Sequence, residues 1–139
     1  MIETDILRAM LGAAIETIGS TLPIHAPGRV FKSKPNDGKY FELIVIQDDN
    51  RNETWGDEKR FSGTLRIILH WPANADAGIY EPIEKFAPVT SYFSKGTQIR
   101  RGGAVITITD NPRMLDAIEG DGDILYPLIV PYACFHVPT

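Results

Sequence analysis

Two apolar runs separated by a charged insert dominate the hydrophobic pattern of the chain. The first is Tyr40-Phe41-Glu42-Leu43-Ile44-Val45-Ile46-Gln47, and the second runs from Phe61 to Trp71. Both are rich in β-branched and aromatic residues and bounded by turn formers, which predicts two strands. Alternation places Phe41, Leu43 and Val45 on one face of the first strand. It places Phe61, Gly63, Leu65, Ile67, Leu69 and Trp71 on one face of the second. The other face of the second strand (Ser62, Thr64, Arg66, Ile68, His70) is mostly polar. One face is therefore expected to pack on helices, and the other to be wet or covered by another subunit. The insert, residues 48–60, is longer than any two- to five-residue hairpin loop requires. It holds five acidic residues (Asp48, Asp49, Glu53, Asp57, Glu58) and three basic ones (Arg51, Lys59, Arg60) around Trp55. It is either a plain solvated loop or a surface that meets another molecule, with Trp55 as the apolar anchor and Asp49, Arg51, Glu58 and Arg60 beside it.

Before these strands, Ile2, Ile6, Met10 and Ala13 recur at helical spacing, and Leu7, Leu11, Ile15 and Ile18 widen the stripe. This predicts an amphipathic helix over 2–18 with Thr4 or Asp5 as N-cap and Gly19 as its stop. Residues 21–39 contain Pro23, Pro27, Gly28, Pro35 and Gly38, too much punctuation for regular structure. They read as an extended arm anchored by Val30 and Phe31. After Pro72, a helix over 79–93 is expected, with Ile79, Ile83, Phe86 and Val89 or Thr90 inward. Pro82 fits its first turn, and Pro88 should kink or break it. A short strand over 104–109 follows, then a turn at Asp110-Asn111-Pro112 and a possible further strand over 113–118. The last strand, 124–137, contains Pro127 and Pro131, four apart and so facing one side. That predicts an edge strand, or one interrupted by a bulge; an edge would be protected by a neighbouring subunit. The order of elements predicts a single α+β domain over 1–139, with a mainly antiparallel sheet of four to five strands, two helices on one face and a long β-hairpin loop.

Composition narrows the function by exclusion. With 139 residues, 43% hydrophobic and 23% charged, the chain has the profile of one globular domain. A net charge of -4 and a pI near 5.3 argue against a binder that relies on phosphate neutralisation; Lys95, Arg100 and Arg101 form the one basic cluster. Cys134 is the sole cysteine, which excludes an intramolecular disulfide. The acidic start, Met1-Ile2-Glu3-Thr4-Asp5, with no long apolar run after it, reads as cytoplasmic synthesis without a membrane span.

Candidate chemistry is thin. Cys134 and His136 could pair as nucleophile and base, but no oxyanion-hole glycines or third group accompany them, and a buried structural cysteine beside a terminal histidine is the favoured reading. Glu119, Asp121 and Asp123 lack the twelve-residue calcium-loop pattern. His25, His70 and His136 show no zinc spacing, and no phosphate loop or dinucleotide fingerprint occurs. No catalytic residue, metal site or cofactor is expected.

Taken in order, several features resemble the tail terminator, or tail completion, proteins of bacteriophages. These are the N-terminal helix, Pro23 and the arm with Phe31, Tyr40 opening a strand, and the long loop before Gly63. The helix ending at Phe93 with Lys95-Gly96-Thr97, then Gly103-Ala104-Val105-Ile106, and finally Leu125-Tyr126-Pro127-Leu128-Ile129-Val130-Pro131-Tyr132 complete the set. The two prolines of the second helix depart from that pattern. The resemblance implies a non-enzymatic virion protein. It would form a homo-oligomeric ring, usually a hexamer, that caps the head-proximal end of the tail tube, stops its growth and joins it to the head–tail connector. DNA would pass through the lumen without specific binding, which suits an acidic chain. Two rivals stand beside it: a head-closure or connector protein of the same machine, and a small cytoplasmic hydrolase using Cys134 and His136.

Overall fold

In the computed structural model, which describes residues 2–19, 22–26, 38–48, 51–52, 59–73, 80–102, 104–120 and 122–136, the chain runs through three helices and nine strands. The first half comprises α1 (Ile2–Ile18), β1 (Ile24–His25), β2 (Tyr40–Gln47), β3 (Arg51–Asn52) and β4 (Lys59–Pro72). Then come α2 (Tyr80–Glu84), α3 (Ala87–Tyr92), β5 (Gln98–Arg101), β6 (Ala104–Ile108), β7 (Arg113–Met114), β8 (Ile118–Glu119) and β9 (Asp123–His136). The strands form one sheet in the order β1-β2-β4-β9-β6-β5, with β3 on β4 and with β7 and β8 on β9. Among the described strand pairs, β1–β2 alone is parallel. The α+β class and the antiparallel character match expectation; the count differs because four strands are two-residue pieces, and five have four residues or more.

The spine is the β4–β9 ladder, paired over all fourteen residues from Lys59↔His136 to Pro72↔Asp123. Its inner face is the alternating set read from sequence. Leu65, Ile67 and Leu69 of β4 and Leu128 and Val130 of β9 are at most 1% exposed. Each such side chain contributes about 1.5–3 kcal/mol by leaving water. α1 lies against this face through Ile6, Ala9, Met10, Ala13, Ala14 and Ile18, the alanines allowing close approach. It stops where Gly19, at φ 67, donates its N–H to the Ile15 carbonyl at 2.9 Å, the left-handed turn that favours glycine there. Because the helix begins at Ile2, Thr4 and Asp5 lie inside it rather than capping it.

The helix expected over 79–93 is two helices. A continuous helix would require a Pro88 N–H to the Glu84 carbonyl, and proline has none and its ring would strike that carbonyl. α2 accordingly ends at Glu84, closing with short-range bonds from Lys85 N–H to the Pro82 carbonyl and Phe86 N–H to the Ile83 carbonyl. α3 restarts at Ala87 with Pro88 in its first turn, where no N–H is needed. Phe86 and Val89 are buried as expected and Phe93 is buried with them, whereas Ile83 is turned outward, 40% exposed; Ile79 lies outside the described residues.

The prolines of β9 are not at an edge. β9 is central, with β4 on one side and the segment 104–119 along the other. The carbonyls of Pro131 and Pro127 accept bonds from the N–H groups of Thr109 (3.1 Å) and Leu115 (2.9 Å). In an antiparallel strand a residue's N–H and carbonyl point the same way, so both missing N–H groups face this segment and leave the β4 ladder whole. The cost falls where the partner is broken. β6 pairs with 132–134, β7 with 128–129 and β8 with 124–125, and the gaps between them coincide with Pro131 and Pro127. Asp110-Asn111-Pro112 is therefore an interruption in a chain that continues along β9, not a reversal.

Candidate assembly surfaces

The described ends of the insert extend the hairpin. Asp48 N–H bonds the Ser62 carbonyl at 2.8 Å, and beyond it Arg51 pairs with Arg60 and Asn52 with Lys59. The register slips by one residue between the Gln47↔Gly63 and Arg51↔Arg60 pairs, so the β2 side carries one extra residue, as at a bulge. Arg51 and Arg60 are thus strand residues placed opposite each other at the far end of the hairpin. Asp49, Trp55 and Glu58 of the insert, and Val30 and Phe31 of the arm, lie outside the described residues.

The titratable groups brought together on the outer sheet face were invisible in the sequence. Tyr40 stands opposite His70 in the β2–β4 pairing; their rings stack with centroids 4.1 Å apart and planes 9° from parallel. His70 Nε2 lies 2.8 Å from Glu42 Oε1, and its Nδ1 is 3.9 Å from Asp123 Oδ2. Burial, and then the carboxylates of Glu42 and Asp123, push the Tyr40 phenol up. One residue on, Lys39 Nζ sits over the Trp71 ring at 4.4 Å. These carboxylates, the phenol and the imidazole form a cross-strand clasp tying β2, β4 and β9. The hairpin register that creates it could not be read from the sequence.

Cys134 is fully buried on the inner face, opposite Phe61 of β4 and Ile106 of β6. Burial pushes its thiol up, against a smaller lowering by the Val105 backbone. A protonated thiol inside a core is inert, so Cys134 is not presented to a substrate; the His136 side chain lies outside what is described. Asp123 turns toward His70, Glu119 lies exposed on β8, and no group of three metal-ligating side chains occurs among the described residues. No described helix is long and apolar enough to cross a membrane.

What remains for recognition is apolar surface. Besides Ile46, Val105 and Ile118 on the sheet, the exposed large hydrophobics among the described residues are Leu7, Tyr80, Ile83 and Tyr92 on the helices. Arg100 and Arg101 are exposed on β5, an outermost strand of the sheet, where charge is a known protection. Leu7, Leu11 and Ile15 form a second stripe on α1 that floors a groove of about 390 Å³ rimmed by Arg8 and Arg101.

Comparison with known proteins agrees with the fold. A family model described as phage tail terminator protein matches residues 5–132. No curated protein matches the sequence. One solved structure, 18% identical, superposes with a TM-score of 0.73, covering 99% of this chain and 96% of its own; at that identity the likeness speaks for the fold alone.

Proposed function

The chain belongs to the phage tail terminator family, and we propose that it forms a closed ring on the head-proximal end of the tail tube, ends tube growth and joins the tail to the head–tail connector. A phage tail structural role, and with it a place in the virion, follows from the family. The finer role rests on the length of that match, which spans the helix, the arm, the hairpin and the β9 ladder. Physical features support it. A ring is built from two different surfaces that meet head to tail and close, and this fold offers an extended hairpin, a basic outer strand and exposed apolar helix surface. On this reading the protein is non-enzymatic, as the buried Cys134 favours, and takes no cofactor. Its partners are further copies of itself, the tail tube protein and the connector protein, and DNA crosses the lumen without specific contacts.

The test is assembly. Light scattering and electron microscopy of the purified protein should show rings, six copies being the expected number, and adding it to polymerising tube protein should halt elongation. Tubes that lengthen as before, with the protein absent from their ends, would sink the reading. Capture by connector alone would favour the head-closure alternative. Within the ring we place Trp55, with Asp49, Arg51, Glu58 and Arg60, in contact with an adjacent subunit or the tube, and Val30 and Phe31 in the arm's contact. Trp55→Ser should abolish assembly while leaving the melting temperature unchanged; unaltered assembly would make residues 48–60 an ordinary solvated loop.

A further inference from the structure

Resting on the ring reading, we propose that the groove on the outer side of α1 is one half of the contact between copies, and that its occupant is the acidic, apolar corner at α2 of the next copy. The motive is a surplus of apolar surface on α1. Beside its core-facing stripe, Leu7, Leu11 and Ile15 follow one another at four-residue spacing, with Leu11 and Ile15 packed against the core on one side and lining the groove on the other. Leu7 is 37% exposed, and Leu11 and Ile15 are half-buried. Gly12 and Ala26 keep the groove open, and Arg8 and Arg101, both exposed, make its rim basic. Of the acids on α1, Asp5 is turned against the Gly102 turn, and Glu16 lines the adjoining pocket with Arg101 rather than this groove.

The complementary shape and sign occur on the same molecule. Tyr80 is 76% exposed, the most exposed large hydrophobic among the described residues, and Ile83 beside it is 40% exposed. Glu81 and Glu84 lie on the same short helix. The helix break before Pro88 is what presents Ile83 outward. No residue of α2 lines the groove, so α2 does not sit in the groove of its own copy, and the contact is heterologous. Two grooves meeting face to face would instead set two pairs of arginines against each other, which like-charge repulsion opposes. A corner-into-groove contact buries an aromatic anchor within a rim of opposite charge, the usual make-up of an energetically dominant patch.

Charge exchange tests this directly. Glu81→Lys with Glu84→Lys, and separately Arg8→Glu with Arg101→Glu, should each weaken assembly by at least about 30-fold in dissociation constant, read by light scattering across a dilution series. The fourfold variant carrying both reversals should recover most of the loss. Tyr80→Ser, which changes no charge, should weaken assembly similarly and carries the test if a reversal variant misfolds by circular dichroism. Wild-type rings that tolerate all these changes, or reversals that weaken assembly without rescue by the fourfold variant, would overturn the docking and leave the ring standing. A wild-type protein that is monomeric, with tube protein present or absent, would overturn the ring reading as well.

Discussion

Replacing Gly63 by alanine should destabilise the protein, although alanine is ordinarily the better residue. Gly63 lies in the middle of β4, between Gln47 of β2 and Tyr132 of β9. Its φ is not in the left-handed region, so by chain entropy alone Gly→Ala would stabilise by about 0.4–1 kcal/mol. Space reverses the sign. A Cβ at this position would lie 2.6 Å from Tyr132 Oη and 2.9 Å from its Cζ, and closer still to the backbone carbonyl of Ile46; comfortable carbon contacts need about 3.5–4.0 Å. Tyr132 is 2% exposed and cannot swing into solvent, and the Ile46 carbonyl can retreat only if β2 moves. Overpacking of this kind costs about 1–3 kcal/mol, and loosening one ladder bond adds about 1 kcal/mol. A net loss of about 2 kcal/mol should lower Tm by roughly 6–8 °C for a chain of this size. Thermal unfolding by calorimetry or circular dichroism reads it. In a Tyr132→Ala background the same change should cost about 1–2 kcal/mol less, because one of the two obstacles is gone. A Gly63→Ala protein as stable as wild type would refute the reasoning and show that ring and strand give way freely.

Two further outcomes follow from buried groups. The Tyr132 hydroxyl is buried without a hydrogen-bond partner, so Tyr132→Phe should gain about 1 kcal/mol in urea unfolding near neutral pH, and a loss would reveal a partner. Burial pushes that phenol up to about 12, with smaller contributions from Asp48 and Cys134. The unfolded chain therefore releases its proton above about pH 10 while the folded protein keeps it; stability is full below that and falls by roughly 2–3 kcal/mol by about pH 12. The fall should shrink in Tyr132→Phe to a smaller one of the same sign from Tyr40 and Cys134; an unchanged fall would contradict it. Cys134, buried with its thiol raised, should resist a thiol reagent in the native protein and react fully once unfolded in guanidinium. Rapid native labelling would reopen the hydrolase reading.

The sequence reading succeeded wherever one residue decides its own local geometry. Alternation along β4 named every inner-face residue from Phe61 to Trp71, and helical spacing with Gly19 gave the span of α1 and its C-terminal stop, although the N-cap expected at Thr4 or Asp5 lies inside the helix. Pro88 forecast the broken helix. It could not say that the break would turn Ile83 out, because burial there depends on how α3 restarts. The site was less legible. Glu42, His70 and Asp123 are drawn together by two strand registers, and neither is encoded in the identity of those residues. The Gly63–Tyr132 approach is of the same kind, a fit between residues far apart in sequence.

The prolines of β9 show most clearly where local inference ends. Their spacing fixes a parity: both missing donors face the same side of the strand, and that much was correct. An edge is the simplest structure with an unpaired side, and it is the wrong one here. The same parity is met by a strand in mid-sheet whose neighbour is itself discontinuous, and β6, β7 and β8 supply that neighbour in pieces. The two solutions differ in which strands lie outermost. With β9 central, β1 and β5 end the sheet order; β1 is protected by being only two residues long, and β5 by Arg100 and Arg101. Moving the edge from β9 to β5 moves the expected contact with it. Arg101 is at once the last residue of β5 and a rim of the α1 groove, so protection of the sheet's end and docking of the next copy converge on one side chain.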